Sequence, residues 1–213
     1  MVNLFLDFFF PRRSLLDIEG MWITPFELQA LGVRPRRVDM AHLRARGVTA
    51  LDCLVASGPY FSPLLRKAVR KFKYQRVHPM REDLGKLLGD TAMLLGAPAD
   101  AVLCPVPLHW LRQFDRGFNQ SWLLAELVER RMHWPAQNLL KRVRWTGSQA
   151  LRSRAERPHA LDGAFALRRG ITVPKHVVLV DDIATTGTTL DICARVLKAH
   201  GAERVDGLVL AHG

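Results

Sequence analysis

The feature that most constrains this chain is the run at residues 177–190, which reads Val, Val, Leu, Val, Asp, Asp, Ile, Ala, Thr, Thr, Gly, Thr, Thr, Leu. Val177, Val178, Leu179 and Val180 make an unbroken apolar stretch, the pattern of a strand buried on both faces of a parallel sheet. Such a strand delivers Asp181 and Asp182 to its carboxyl end. Ala184, Thr185, Thr186, Gly187 and Thr188 then turn the chain into a helix expected over 186–200 and closed by Gly201. The small residues let the backbone pass close to a ligand, and Gly187 permits the tight bend. Amides at a helix N-terminus attract phosphate with help from the helix dipole. Two adjacent carboxylates just before such a turn suit the vicinal hydroxyls of a ribose. They can also help hold Mg²⁺, which keeps most of its waters and takes phosphate oxygens.

The rest of the pattern supplies a sheet for this strand. A strand is expected over 51–56. Ser62 and Pro63 start a helix that places Leu65, Val69 and Phe72 on one face and Arg66, Lys67, Arg70, Lys71 and Lys73 on the other. A second helix is expected from about 81 to 95, with Leu84, Leu87, Leu88 and Thr91 inward. A buried strand over 101–106 runs into a loop. Asn119 caps a helix with an apolar stripe of Leu123, Leu124, Leu127 and Val128. Residues 139–143 read as a strand, 144–157 as a long basic loop, and 205–210 as the last strand. This alternation is that of an α/β domain with a mostly parallel central sheet flanked by helices. Ligands of such sheets sit at the carboxyl ends of the strands, so the loops after Val106 and Val180 are expected to share one pocket.

Residues 1–50 lack that alternation and are read as a small N-terminal extension to a domain spanning 51–213. Thr24, Pro25 and Glu27 spell a capped helix start with a capping box, and Arg34, Pro35, Arg36 and Arg37 end it. The apolar stretch at 4–10 is interrupted by Asp7 and is too short to span a bilayer. It is expected to dock on the rest of the chain. No basic segment and cleavage site mark a signal peptide, so a cytoplasmic protein without a membrane span is expected.

Composition narrows the partners. The 213 residues are 48% hydrophobic and 24% charged, enough for a sizeable core. The net charge of +11 and pI of about 10.4 favour anionic partners without choosing among phosphorylated small molecules, nucleic acid and an acidic membrane surface. Cys53, Cys104 and Cys193 are far apart and form no Cys-x-x-Cys, which argues against a zinc ribbon and a disulfide framework.

The run at 177–190 resembles the 5-phosphoribosyl-1-pyrophosphate (PRPP) signature of the type I phosphoribosyltransferases. The resemblance implies that fold, with Asp181 and Asp182 on the ribose hydroxyls and Ala184, Thr185, Thr186, Gly187 and Thr188 around the 5-phosphate. Further segments resemble the ComF/GntX group: Val106, Pro107, Leu108, His109 and Trp110; Arg116, Gly117, Phe118, Asn119 and Gln120; Arg142 to Thr146 with Gln149; Gly163, Ala164 and Phe165; and Phe72, Lys73 and Tyr74. By that resemblance Pro107, Leu108, Arg112, Arg116, Gly117, Asn119 and Gln120 face the pyrophosphate, where an arginine fork matches phosphate oxygens. The loop at 144–157, with Thr146, Gln149 and Arg154, becomes a lid. Many members of the group open with a zinc ribbon of paired Cys-x-x-Cys motifs. Here Ser14 and Asp17 stand at that spacing, so no zinc is expected, and the expected cofactor is Mg²⁺ with PRPP, held in part by Asp181 and Asp182.

Three functions remain open at this stage. The first is a phosphoribosyltransferase of nucleotide metabolism that joins a nitrogen acceptor to ribose, the acceptor unassigned. The second is a protein of DNA uptake and natural transformation that meets single-stranded DNA and competence or recombination proteins. Basic residues from Arg66 to Arg76 and from Lys141 to Arg169 fit the DNA reading, with Phe72, Tyr74 and Trp145 placed to stack on bases. The third is a catalytically inactive PRPP sensor. The fold alone does not decide.

Overall fold

The structure is a computed structural model, and it describes residues 14–16, 18, 23–31, 33–74, 78–108, 118–143 and 163–213. Seven strands are described. β1 (Arg36–Arg37), β2 (Cys53–Pro59), β3 (Val102–Pro105), β6 (His176–Ala184) and β7 (Arg204–His212) form one sheet in the order β1-β2-β7-β6-β3. β1 runs antiparallel to β2, and every other pair is parallel. β4 (Leu140–Arg142) and β5 (Phe165–Leu167) make a separate antiparallel pair. The helices are α1 (Pro25–Ala30), α2 (Met40–Arg44), α3 (Pro63–Tyr74), α4 (His78–Ala92), α5 (Gln120–Met132) and α6 (Thr188–Ala199).

The alternation of side chains along each strand divides the core in two. Val178, Val180, Leu208 and Leu210 meet Leu65, Val69 and Phe72 of α3, Leu84 and Leu88 of α4, and Leu124 and Val128 of α5. Val177, Leu179, Val205 and Val209 face the other way, onto Leu190, Ala194 and Leu197 of α6 and onto Leu43 and Val48. The central strands are therefore buried on both faces, as their unbroken apolar runs require.

The structure adds to or departs from the sequence reading at several places. β6 does not stop at Val180 but continues to Ala184, so Asp181 and Asp182 lie within the strand. The cause is β7, which also runs long: Ile183 pairs with Ala211, and Ala184 with His212. The following helix accordingly starts at Thr188, two residues later than expected. The strand expected at 139–143 forms as β4, paired with β5 and apart from the parallel sheet. Residues 135–137 take the free edge of β3 instead, where Leu103 N donates to Pro135 O (2.9 Å) and Gln137 N to Leu103 O (2.8 Å). Arg36 and Arg37 do more than end a helix, since they pair with Ala56 and Val55 of β2. Finally, Phe72 is 2% exposed and packs in the core, so it offers no ring to a nucleic-acid base.

Cys53, Cys104 and Cys193 are buried free thiols. Burial lifts the Cys104 thiol to about 12 and the Cys193 thiol well above its ordinary value. Cys53 is raised by burial and by the carboxylate of Asp206. No helix among the described residues is long and apolar enough to cross a membrane.

The start of α1 forms the expected capping box, and Glu27 extends it into a buried knot. Thr24 Oγ1 accepts from Glu27 N (3.1 Å), and Glu27 Oε2 accepts from Thr24 N (2.7 Å). Glu27 Oε1 accepts from Ser14 Oγ (2.7 Å) and from Leu16 N. Lys71 of α3 donates to Ser14 O (2.8 Å), which ties the knot to the main body. Burial pushes the Glu27 carboxyl upward, but the hydrogen bonds from Thr24, Ser14 and Leu16 together outweigh it and hold the group below its usual range. A depressed carboxyl stabilises the fold above its unfolded value and ceases to do so as pH falls through its folded value. Hydrogen exchange at the Leu16 and Thr24 amides should therefore stay slow at neutral pH and accelerate as pH drops well below 4.5, after correction for intrinsic exchange. Glu27→Gln should show the faster exchange already at pH 7.

Candidate functional site

The carboxyl ends of β3 and β6 lie side by side, with Pro105 opposite Val180 and Val106 N donating to Val180 O (2.9 Å). The two loops that the sequence assigns to one pocket therefore leave the sheet together. Asp181 is half-buried and Asp182 is 7% exposed. Asp181 Oδ1 accepts from Ser121 Oγ (2.9 Å) and from Asp182 N (2.9 Å). The first turn of α5 thus fixes the rotamer of one of the two acids.

The turn after β6 is held by its own hydroxyls. Thr186 Oγ1 and Thr188 Oγ1 are 2.8 Å apart and share a hydrogen bond. Gly187 is the N-cap of α6 at φ 75°, a left-handed conformation that a Cβ disfavours. A Cβ there would also lie 3.2 Å from Val48 Cγ2. No side chain caps α6, so its first-turn amides and its positive dipole end face the turn of Ala184, Thr185, Thr186, Gly187 and Thr188. An anion is the complement of that end.

The neighbouring loop is anchored by Asn119. Its Oδ1 accepts from Ser121 N (3.1 Å), capping α5, while its Nδ2 donates to Val106 O (3.2 Å). One side chain thereby joins the end of β3 to the start of α5 and sets Ser121 beside Asp181. Gln120 is buried under this corner. Next to it opens a cavity of about 430 Å³ bordered by Pro107, Leu108, Asn119, Lys141, Arg142 and Arg168. The Arg142 guanidinium stands 5.4 Å above the ring of Phe165, within the range of a cation–π interaction. Pro107, Leu108 and Asn119 thus border this cavity, and Asn119 is joined to Asp181 through Ser121. Arg112, Arg116, Gly117, Thr146, Gln149 and Arg154 lie outside the described residues.

Four side chains in and around this corner are not marked by any motif of the sequence. Ser121 belongs to none, and its place in the first turn of α5 does not by itself point to Asp181. Lys141 and Arg168 read only as part of a basic stretch, but the pairing of β4 with β5 brings them to one cavity. Asp191, in the first turn of α6, is 1% exposed. Its Oδ1 accepts from Thr49 N (2.7 Å), Ala50 N (2.6 Å) and Leu51 N (3.1 Å), and its Oδ2 from Arg195 Nε (2.9 Å). This carboxylate binds the loop before β2 to the helix behind the Gly187 turn.

Residues 148–213 match the phosphoribosyl transferase domain. The chain is 32% identical over 161 residues to competence protein F of Haemophilus influenzae, covering 72% of this chain and 70% of that protein. It is 31% identical over 151 residues to the DNA utilization protein YhgH of Escherichia coli, covering 68% of this chain and 66% of that protein. With competence protein ComFC of Bacillus subtilis it shares 27% identity over 141 residues, 66% of this chain and 56% of the relative.

The Asp191 clamp makes a stability prediction. Replacing a buried carboxylate that satisfies three amides and a guanidinium strands all of them, a loss of about 3 kcal/mol. Asp191→Ala should lower the urea midpoint accordingly. Asp191→Asn, which keeps one acceptor oxygen, should recover part of the loss.

Proposed function

The chain belongs to the ComF family of phosphoribosyltransferase-like proteins, and we propose that it binds PRPP across the carboxyl ends of β3 and β6. The observation that carries this reading is the juxtaposition at the end of β6: an oriented Asp181 and a buried Asp182 directly precede an uncapped helix N-terminus at Gly187. In the proposed mode the two carboxylates accept from the ribose 2- and 3-hydroxyls. The turn of Ala184, Thr185, Thr186, Gly187 and Thr188 holds the 5-phosphate through its amides and its threonine hydroxyls. The pyrophosphate extends toward Pro107, Leu108, Asn119 and Gln120, where Lys141, Arg142 and Arg168 add positive charge.

The donor set suits Mg²⁺. Asp181 offers a half-buried carboxylate oxygen, a hard ligand of the kind Mg²⁺ uses together with water and phosphate oxygens. When bound, the ion would offset the negative charge that develops on departing pyrophosphate. The protein's part is positioning: Ser121 and Asn119 fix the acid and the loop before substrate arrives, which reduces the ordering left for the reactive complex. A nitrogen acceptor would then bond to the anomeric carbon as the bond to pyrophosphate breaks, with the bond electrons leaving on pyrophosphate. This reading puts the protein in the cytoplasm and in the nucleotide branch of metabolism.

A link to DNA uptake is the second part of the proposal. It is supported by the exposed Arg66, Lys67 and Arg70 on the outer face of α3 and by the names of the Haemophilus and Escherichia relatives. Phe72 contributes to the core beneath that face and not to stacking.

Isothermal titration of Mg²⁺ and PRPP should give saturable binding to the wild-type chain. Asp181→Asn/Asp182→Asn should weaken it at least tenfold, equivalent to about 1.4 kcal/mol. Unchanged affinity would sink the PRPP reading. Release of pyrophosphate with one member of a panel of bases would establish transfer, whereas binding without turnover on any base would assign a sensor. Single-stranded DNA binding should weaken as salt rises. Arg66→Ala/Arg70→Ala should reduce the slope of log K against log salt by roughly 1.4, at about 0.7 for each single-strand phosphate that the variant leaves unneutralised. A salt-independent affinity would remove DNA from the proposal.

A further inference from the structure

The last residues of β7 bring an unexplained imidazole to the same edge of the sheet. His212 pairs in register with Ala184, the last residue of β6, and with Pro59 at the end of β2. Its side chain is buried, at 9% exposure, yet its Nε2 has no hydrogen-bond partner among the described residues. A buried polar nitrogen without a partner costs free energy, and in a native fold it calls for an account.

The surroundings supply one. β1 lies at the far side of β2, and alternation sends its two arginines to opposite faces. Arg37 reaches Leu94 O behind α4 (2.6 Å), which leaves Arg36 for the face of α2 and α6. Arg46 follows α2 in a tight turn, with its N donating to Leu43 O (3.0 Å), and α2 itself carries His42. Arg44 pins this segment by donating to Thr49 O (2.5 Å) and Leu51 O (3.1 Å). Burial first, and then the charges of Arg36, Arg46 and His42, hold the His212 imidazole below its ordinary value. The ring is therefore a neutral hydrogen-bonding group set among positive charges. Arg36, His42 and Arg46 are all exposed, so the two guanidiniums are open to solvent.

We propose that His212 Nε2, together with Arg36, His42 and Arg46, forms the acceptor side of the site, a subsite for a nucleotide. The class follows from the two kinds of group present. A neutral, dry imidazole nitrogen answers one N–H or carbonyl on the edge of a base, and the flanking arginines answer a phosphate. The position follows from the sheet: β7 lies on the side of β6 opposite β3, so a ribose over Asp181 and Asp182 would have pyrophosphate on one side and this cluster on the other. The assignment rests on the PRPP reading and deepens it by giving the nitrogen acceptor a place and a charge.

Histidine-labelled protein in solution tests it, with ring resonances of His212 identified by comparison with His212→Gln. Ribose 5-phosphate serves as the probe of the turn, since it has no pyrophosphate to lose. It should shift the Gly187 and Thr188 amides, and failure to do so would count against the PRPP reading itself. With ribose 5-phosphate present, adenosine 5′-monophosphate should shift the His212 ring saturably, and adenine alone or inorganic phosphate alone should bind at least tenfold more weakly. Arg36→Ala/Arg46→Ala should weaken the nucleotide at least tenfold while the ribose 5-phosphate response of Gly187 persists, which also shows that the variant is folded. Three results would overturn the subsite with the PRPP reading intact: no nucleotide-dependent shift at His212, equal affinity for phosphate alone, or a full His212 shift on ribose 5-phosphate with no further change.

Discussion

The parallel ladder between β6 and β7 is the constraint on which the rest depends. It extends from His176 opposite Arg204 to Ala184 opposite His212. At its amino end, the buried Asp206 accepts from Arg204 Nε (3.0 Å) and shares a buried hydrogen bond with His176 Nε2 (2.8 Å). At its carboxyl end the ladder holds two acids that have poor strand propensity of their own. The backbone pairing, not the side chains, keeps Asp181 and Asp182 extended, and it ends where the turn to α6 must begin. A ladder that stopped at Val180, four residues shorter, would release both acids into a loop and lose their fixed relation to Gly187.

Around this ladder, single polar side chains do the joining. Asn119 connects the end of β3 to α5 with one donor and one acceptor. Asp191 gathers three successive amides from a segment about 140 residues away in sequence. Each bond contributes about 1 kcal/mol net, but the larger effect is on freedom: each removes the motion of a loop that borders the site. Preorganisation of this kind suits a ligand whose charge needs several fixed donors at once.

The centre of the site is legible in the sequence because its chemistry is local. Apolar run, acids, threonines and glycine are contiguous, so one window of residues 177–190 holds the strand, its ligands and the helix start. The helical spacing of Leu65, Val69 and Phe72 likewise marks the buried face of α3, and the Thr24 capping box stands as read. What escapes is long-range. Ser121 touches Asp181 across 60 residues of sequence, and nothing local to Ser121 announces it. The fate of 139–143 turns on which segment covers the edge of β3, a competition that strand propensity does not see. The same holds for Phe72: an aromatic on a basic helix reads as a stacking platform, and only the packing of α3 against the sheet takes it inside.

The three cysteines have a practical consequence. Thiol reagents attack the thiolate, and burial keeps the thiolate forms of Cys104 and Cys193 scarce and shielded, with Cys53 raised in the same direction. A cysteine introduced on the surface would stand as the one reactive sulfur in the molecule. A fluorophore placed on the outer face of α3, or a pair of them spanning the turn and the carboxyl end of β7, would report on the native chain without removal of its own thiols.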